Sequence, residues 1–207
     1  MSTALKQLLD CPVIAILRGV TPDEVLAVGE VLIDAGFKVI EVPLNSPSAF
    51  ASIEMLASRF GADVVVGAGT VLSVTGVDGS VSAGADLILA PNRNVAVIER
   101  AVHRGVVSMP GVATPSEGFE ALAAGAHALK LFPSDVLGPV TVKAWRAVFP
   151  KSTPMFCVGG ICVENMGAFR NAGANGVGLG SSLYEPGVSL TALAARASNL
   201  MVAWRGL

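Results

Sequence analysis

Four times along the chain a helix-like segment closes on Ala-Gly and an apolar run follows at once. The copies are Asp34-Ala35-Gly36-Phe37, Ser82-Ala83-Gly84-Ala85, Ala123-Ala124-Gly125-Ala126 and Asn171-Ala172-Gly173-Ala174. Glycine at that point supplies the left-handed residue that ends a helix, and the short loop turns the chain back into a strand. Arg59-Phe60-Gly61 and Arg104-Gly105 are looser versions of the same signal. A chain punctuated this way is committed to alternating helix and strand.

The apolar runs predict strands at Val13–Arg18, Val39–Leu44, Val64–Thr70, Leu87–Pro91, Val106–Met109, Ala128–Phe132, Met155–Val158 and Gly176–Leu179. Helices are expected at Pro22–Ala35, Pro47–Phe60, Ser73–Ala83, Asn94–Arg104, Pro115–Ala124, Pro139–Phe149, Val163–Ala172 and Ser189–Arg205. Several open on a capping residue and a first-turn proline, as in Thr21-Pro22, Ser46-Pro47 and Thr114-Pro115. Eight such units predict a closed (β/α)8 TIM barrel, one domain over residues 1–207, with a short helix at Thr3–Leu9 plugging its floor. An open doubly wound sheet is the rival arrangement.

Composition narrows the function. A net charge of −2 leaves no basic footprint for nucleic acid, and no Lys/Arg cluster suggests a membrane surface. The 52% hydrophobic content fits strands buried on both faces and an oligomer interface, since no uncharged stretch is long enough to span a bilayer. The first ten residues lack a secretory layout, and Cys11, Cys157 and Cys162 form neither a disulfide framework nor, with His103 and His127, a zinc site. The expectation is a cytoplasmic enzyme without metal or cofactor.

Lys130 stands inside the apolar run Ala126-His127-Ala128-Leu129-Lys130-Leu131-Phe132. An ammonium in such surroundings loses hydration and its pKa falls, and the neutral amine is a nucleophile toward ketones. Strand alternation turns Lys130 inward with Ala128 and Phe132, and it turns Glu41 inward with Val39 and Pro43. Two ionisable groups in one barrel are better explained together than as a structural ion pair, which seldom stabilises more than apolar packing. Arg18 ends the first strand and suits a carboxylate or phosphate. Thr70, after Gly67-Ala68-Gly69, offers a hydroxyl. The last two strands end in Gly159-Gly160 and in Gly178-Leu179-Gly180-Ser181, where backbone N–H groups and Ser181 can hold a phosphate. His103 and His127 fall away from the strand ends and are read as non-catalytic.

With these residues in place, the chain resembles the 2-keto-3-deoxy-6-phosphogluconate and -galactonate aldolases, the class I pyruvate-forming aldolases. The matching segments are Ile14–Gly19, Ile40–Pro47, Val66–Val71, Ala90-Pro91-Asn92, Pro110-Gly111, Leu129–Pro133 and Val158-Gly159-Gly160, spread over nearly the whole chain. Pro43 and Asn45 stand where the gluconate-type enzymes usually carry threonine and arginine, which looks like the galactonate branch. Ala90 replaces a threonine often seen before Pro-Asn.

The resemblance implies that Lys130 forms the Schiff base and Glu41 acts as general base and acid. It implies that Arg18 and Thr70 orient the carboxylate end, that Phe132 is an apolar wall, and that Gly159, Gly160, Gly178 and Ser181 surround the 6-phosphate. The implied substrate is a phosphorylated keto-deoxy sugar acid, the implied assembly a homotrimer. The gluconate epimer, or both epimers, is the alternative substrate. A non-catalytic phosphosugar-binding barrel is the alternative of another class. A metal-dependent aldolase lacks its histidine cluster.

Overall fold

The computed structural model describes residues 2–207. Nine parallel strands form one sheet: β1 (Val13–Ile16), β2 (Val39–Pro43), β3 (Val65–Gly69), β4 (Leu87–Leu89), β5 (Val107–Met109), β6 (Gly111–Val112), β7 (Leu129–Leu131), β8 (Met155–Val158) and β9 (Gly176–Leu179). Their order is β5-β4-β3-β2-β1-β9-β8-β7-β6. The helices are α1 (Thr3–Asp10), α2 (Pro22–Asp34), α3 (Ala49–Phe60), α4 (Val74–Ser82), α5 (Val95–His103), α6 (Pro115–Ala123), α7 (Ser134–Arg146), α8 (Met166–Asn171) and α9 (Leu190–Arg205).

β5 and β6 are one strand path interrupted at Pro110, which has no N–H to give to a ladder. The path pairs with β4 through Val107–Met109 and with β7 through Gly111-Val112. The carbonyls of Ser108 and Pro110 accept from the N–H groups of His127 (3.0 Å) and Lys130 (2.9 Å). These bonds close the ring, so the open sheet is excluded and the expected barrel stands. The fifth strand runs further than the Val106–Met109 expected, because Gly111 lets the backbone pass close to Pro91.

The Ala-Gly punctuation works as its chemistry requires. Gly36, Gly84, Gly125 and Gly173 are left-handed, with φ of 99°, 94°, 94° and 108°. At each, paired backbone bonds cap the helix: Gly36 N–H to Ile33 (2.9 Å) and Phe37 N–H to Leu32 (3.0 Å) in the first copy, with the same spacing in the others. Gly105 repeats it, but Gly61 does not, having a φ of −60° in the right-handed region. The Thr114 cap accepts from Glu117 N–H at 3.3 Å, and the Glu117 carboxylate accepts from Thr114 N–H at 2.9 Å.

Three helix starts differ from expectation by two residues or more. Helix α3 starts at Ala49 rather than Pro47, because Ser46 does not cap it; its hydroxyl accepts from Gly19 N–H (2.9 Å) in the neighbouring loop. Helix α7 begins before Pro139, at Ser134, and breaks at Gly138 (φ 71°). Helix α8 starts late, at Met166, because Asn165 is spent on the preceding loop.

Apolar side chains pack in two shells. Ile40, Val42, Leu129 and Leu131 lie between sheet and helices. Ile14, Ile16, Val39, Val65, Leu87, Val107, Met109, Ala128 and Phe156 fill the lumen, and Leu8 of α1 joins them from below. Helix α1 therefore plugs the floor. Leu8→Ala opens a cavity there and should lower unfolding free energy by about 2–5 kcal/mol in urea titration. A loss near zero would mean the floor is closed without it.

Candidate active site

The lumen is packed below and hollow above. At the strand C-termini lies a cavity of about 360 Å³, within the range of small-molecule sites. Arg18, Thr70, Lys130, Phe132, Gly159, Gly160 and Ser181 all line it. Glu41 and Gly178 do not. Glu41 is buried behind the wall, and Gly178 lies in β9 beneath it, its missing Cβ making room for Val158 and Ile16. Sequence reading missed Ile16, Pro91, Val158, Ile161 and Gly180 as lining residues. Pro91 ends the expected fourth strand and Gly180 lies within the Gly178–Ser181 segment, so both were open to the same reasoning; the aliphatic side chains carry no mark in sequence.

Lys130 and Glu41 are 4% and 1% exposed. Their strands are opposite each other in the ring: from β2 to β7 the path runs through β1, β9 and β8 one way, and through β3, β4 and the β5–β6 path the other. The two groups face across the lumen without ion-pair contact, for which N···O would be at most 4.0 Å. Burial pulls the Lys130 amine below the usual lysine range; Glu41 opposes that pull and the Arg18 charge adds to it. Burial raises Glu41, while Lys130 and Arg18 draw it back. Glu41 Oε2 has no hydrogen-bond partner. The Lys130 Nζ lies over the Phe132 ring, 5.1 Å from its centre, a cation–π contact that works against the desolvation of the amine.

The rim is held by side chains from adjacent loops. The Arg18 guanidinium donates to Asn45 Oδ1 (2.8 Å), so Asn45 steadies the arginine at the rim. Ser134 donates to the Leu131 carbonyl (2.8 Å) and accepts from Val158 N–H (3.0 Å), locking the end of β7 to β8. Thr70 sits at φ 53°, an unusual conformation for a β-branched residue and a form of strain typical of functional positions.

Gly159 and Gly160 are also left-handed, at φ 99° and 68°. Among the described residues, no protein acceptor takes the N–H groups of Gly160, Ile161 or Ser181. Asn165 fixes this loop, donating to the Gly160 carbonyl (2.7 Å) and accepting from Cys162 N–H (2.9 Å). Unpaired N–H groups on consecutive loop residues are the makings of an anion-binding concavity.

His127 accepts from Ser108 N–H (3.1 Å) at the foot of β7, and His103 ends α5; neither lines the cavity. The Cys157 thiol, pushed up to about 12 by burial, packs in the helix-facing shell. A nearly dry amine, an opposed carboxylate and an anion-binding rim are equipment for condensing with a phosphorylated keto acid and moving its protons.

Comparison with known proteins gives the same class. The KDPG and KHG aldolase family model matches residues 4–193. The chain is 47% identical to 2-dehydro-3-deoxy-6-phosphogalactonate aldolase of Escherichia coli (strain K12), over 94% of this chain and 95% of that one. It is 44% identical to the probable 2-dehydro-3-deoxy-6-phosphogalactonate aldolase of Rhizobium meliloti (strain 1021), over 95% and 92%. The solved native KDPGal structure superposes with a TM-score of 0.93 at 47% identity, over 94% of this chain and 95% of that one. The chain belongs to the KDPG and KHG aldolase family.

The raised Glu41 pKa has a consequence for stability. Above pH 4.5 the unfolded chain carries this carboxylate ionised, while the fold disfavours the charge. Stability is thus present at low pH and lost as pH rises through the raised native value. Glu41→Gln removes that penalty. The variant should melt higher at pH 7, by roughly 2–4 °C per kcal/mol gained, and the gain should vanish below pH 4.5. Equal melting temperatures at neutral pH would show that the fold tolerates the charge.

Proposed function

We propose that this chain is a Schiff-base aldolase that cleaves 2-dehydro-3-deoxy-6-phosphogalactonate to pyruvate and D-glyceraldehyde 3-phosphate. The observation that carries the reading is a buried, partner-free amine on Lys130 lining the cavity, with a buried carboxylate, Glu41, on the opposite strand of the same lumen. The neutral amine adds to the C2 ketone, and water leaves with uptake of one proton relayed by Glu41, giving a protonated imine. Glu41 takes the C4 hydroxyl proton as the C3–C4 bond breaks, and the electron pair passes into the imine. The aldehyde departs, the enamine is protonated at C3, and hydrolysis releases pyruvate and the lysine.

Arg18, aimed by Asn45, and Thr70 orient the carboxylate end, with Phe132 as a wall. Gly159, Gly160 and Ser181 hold the phosphate through free N–H groups and a hydroxyl; Gly178 shapes the strand beneath them. Borohydride reduction in the presence of pyruvate should fix a pyruvate adduct on Lys130 and on none of Lys6, Lys38, Lys143 and Lys151, as read by peptide mass analysis. An adduct elsewhere, or none, ends the Schiff-base reading.

The galactonate preference is supported by Pro43 and Asn45 and by the two relatives named above. Catalytic efficiency should be higher for the galactonate than for the gluconate epimer; the reverse order would reassign the substrate.

The same reading makes the enzyme cytoplasmic, in keeping with free thiols at Cys11, Cys157 and Cys162, and a homotrimer. Val136 and Val140 of α7, 79% and 80% exposed, are apolar surface suited to a subunit contact. A monomer in sedimentation would refute the trimer.

A further inference from the structure

Strand β3 turns two glycines into the lumen, Gly67 and Gly69, while Val66 and Ala68 face the helices. Their surroundings differ. A Cβ on Gly67 would meet the Leu87 carbonyl oxygen at 3.3 Å and Leu87 carbons at 3.4 Å, a tight but near-normal fit. A Cβ on Gly69 would lie 1.4 Å from Glu41 Oε1, 2.4 Å from its Cδ and 2.9 Å from its Cγ. The carboxylate occupies the space that any other residue would fill.

Backbone conformation gives no other reason for a glycine there. Gly69 does not have a positive φ; it is ordinary strand, paired with Pro43 of β2. Its carbonyl accepts from Leu44 N–H at 2.8 Å, and Val71 N–H donates to the Leu89 carbonyl at 3.1 Å. The backbone is therefore held on both sides and cannot withdraw from an added methyl. The side chain of Glu41 must move instead.

We propose that Gly69 is a positioning residue whose missing side chain is the seat of the Glu41 carboxylate. The proposal rests on the reading of Glu41 as general base. With one oxygen in the hollow over Gly69 and Oε2 free of protein partners, the carboxylate keeps a lone pair for the substrate. Filling the hollow displaces the base without touching substrate or Lys130.

The test is a kinetic cycle on the full chain with 2-dehydro-3-deoxy-6-phosphogalactonate. Gly69→Ala should lower kcat about 10²-fold, the usual effect of misplacing a catalytic group by an ångström, and leave KM nearly unchanged. Adding it to Glu41→Ala, where no carboxylate remains to be displaced, should lower kcat no further. Melting temperatures carry the same coupling: the methyl should cost stability beside Glu41 and none beside alanine.

If Gly69→Ala alone does not fold, the double variant should, because the methyl then enters vacated space. Wild-type kcat in Gly69→Ala, equal losses in both backgrounds, or failure of both variants to fold overturns the proposal. Wild-type kcat in Glu41→Ala would instead overturn the role of Glu41, a distinct result.

Discussion

Desolvation of two ionisable groups on opposite walls of one lumen is the constraint on which the site depends. Separation matters as much as burial. At 4 Å and an effective dielectric near 20, opposite charges attract by about 4 kcal/mol, roughly three pK units. A lysine in contact with its carboxylate would stay charged and useless as a nucleophile. Putting Glu41 on β2 and Lys130 on β7, half the ring apart, leaves them without an ion-pair contact, so the carboxylate opposes the pull of burial on the amine without cancelling it. Adjacent strands could not offer this geometry. The packed floor serves the same end, since Leu8 and the lumen side chains leave the amine only the cavity above for access.

Above that floor the site is made largely by leaving side chains out. Gly69 leaves room for a carboxylate, Gly160 presents its N–H to the rim, and Gly178 admits Val158 and Ile16 beneath the cavity. The polar side chains that remain are held from neighbouring loops: Asn45 on Arg18, Ser46 on Gly19, Asn165 on the Gly160 loop. A rim tied in this way stays in position at little cost, because its anchors sit in short loops that directly follow strands fixed by the barrel.

Much of this was legible in sequence where one residue carries one unambiguous instruction. The Ala-Gly helix ends were legible because only a left-handed residue closes a helix that way, and Lys130 and Glu41 because a charge in an apolar strand has few explanations. The β5–β6 path was half legible, since its continuation past Pro110 depends on a partner strand far along the chain. Ser46 was misread as a helix cap because its actual partner, Gly19, lies in another loop. Asn45 was seen only as a substitution; that it grips Arg18 is a tertiary fact. Gly69 was seen only as part of the segment before Thr70, and its true neighbour is a side chain on the next strand.

The competing reading of the fold, a barrel that only binds phosphosugars, fails on energetic grounds. A binder needs the rim: Arg18, the glycine N–H groups and Ser181. It has no use for a carboxylate behind the cavity wall, one oxygen unpartnered, at a cost of about 1–3 kcal/mol or more for the unmet hydrogen bond. Nor does it need an amine whose charge the fold disfavours. The other lumen positions are apolar, so the barrel readily accommodates apolar residues there. Two costly exceptions, one lining the cavity and one buried on the opposite strand without an ion-pair contact to it, are what a covalent catalyst needs and a binding protein would lack.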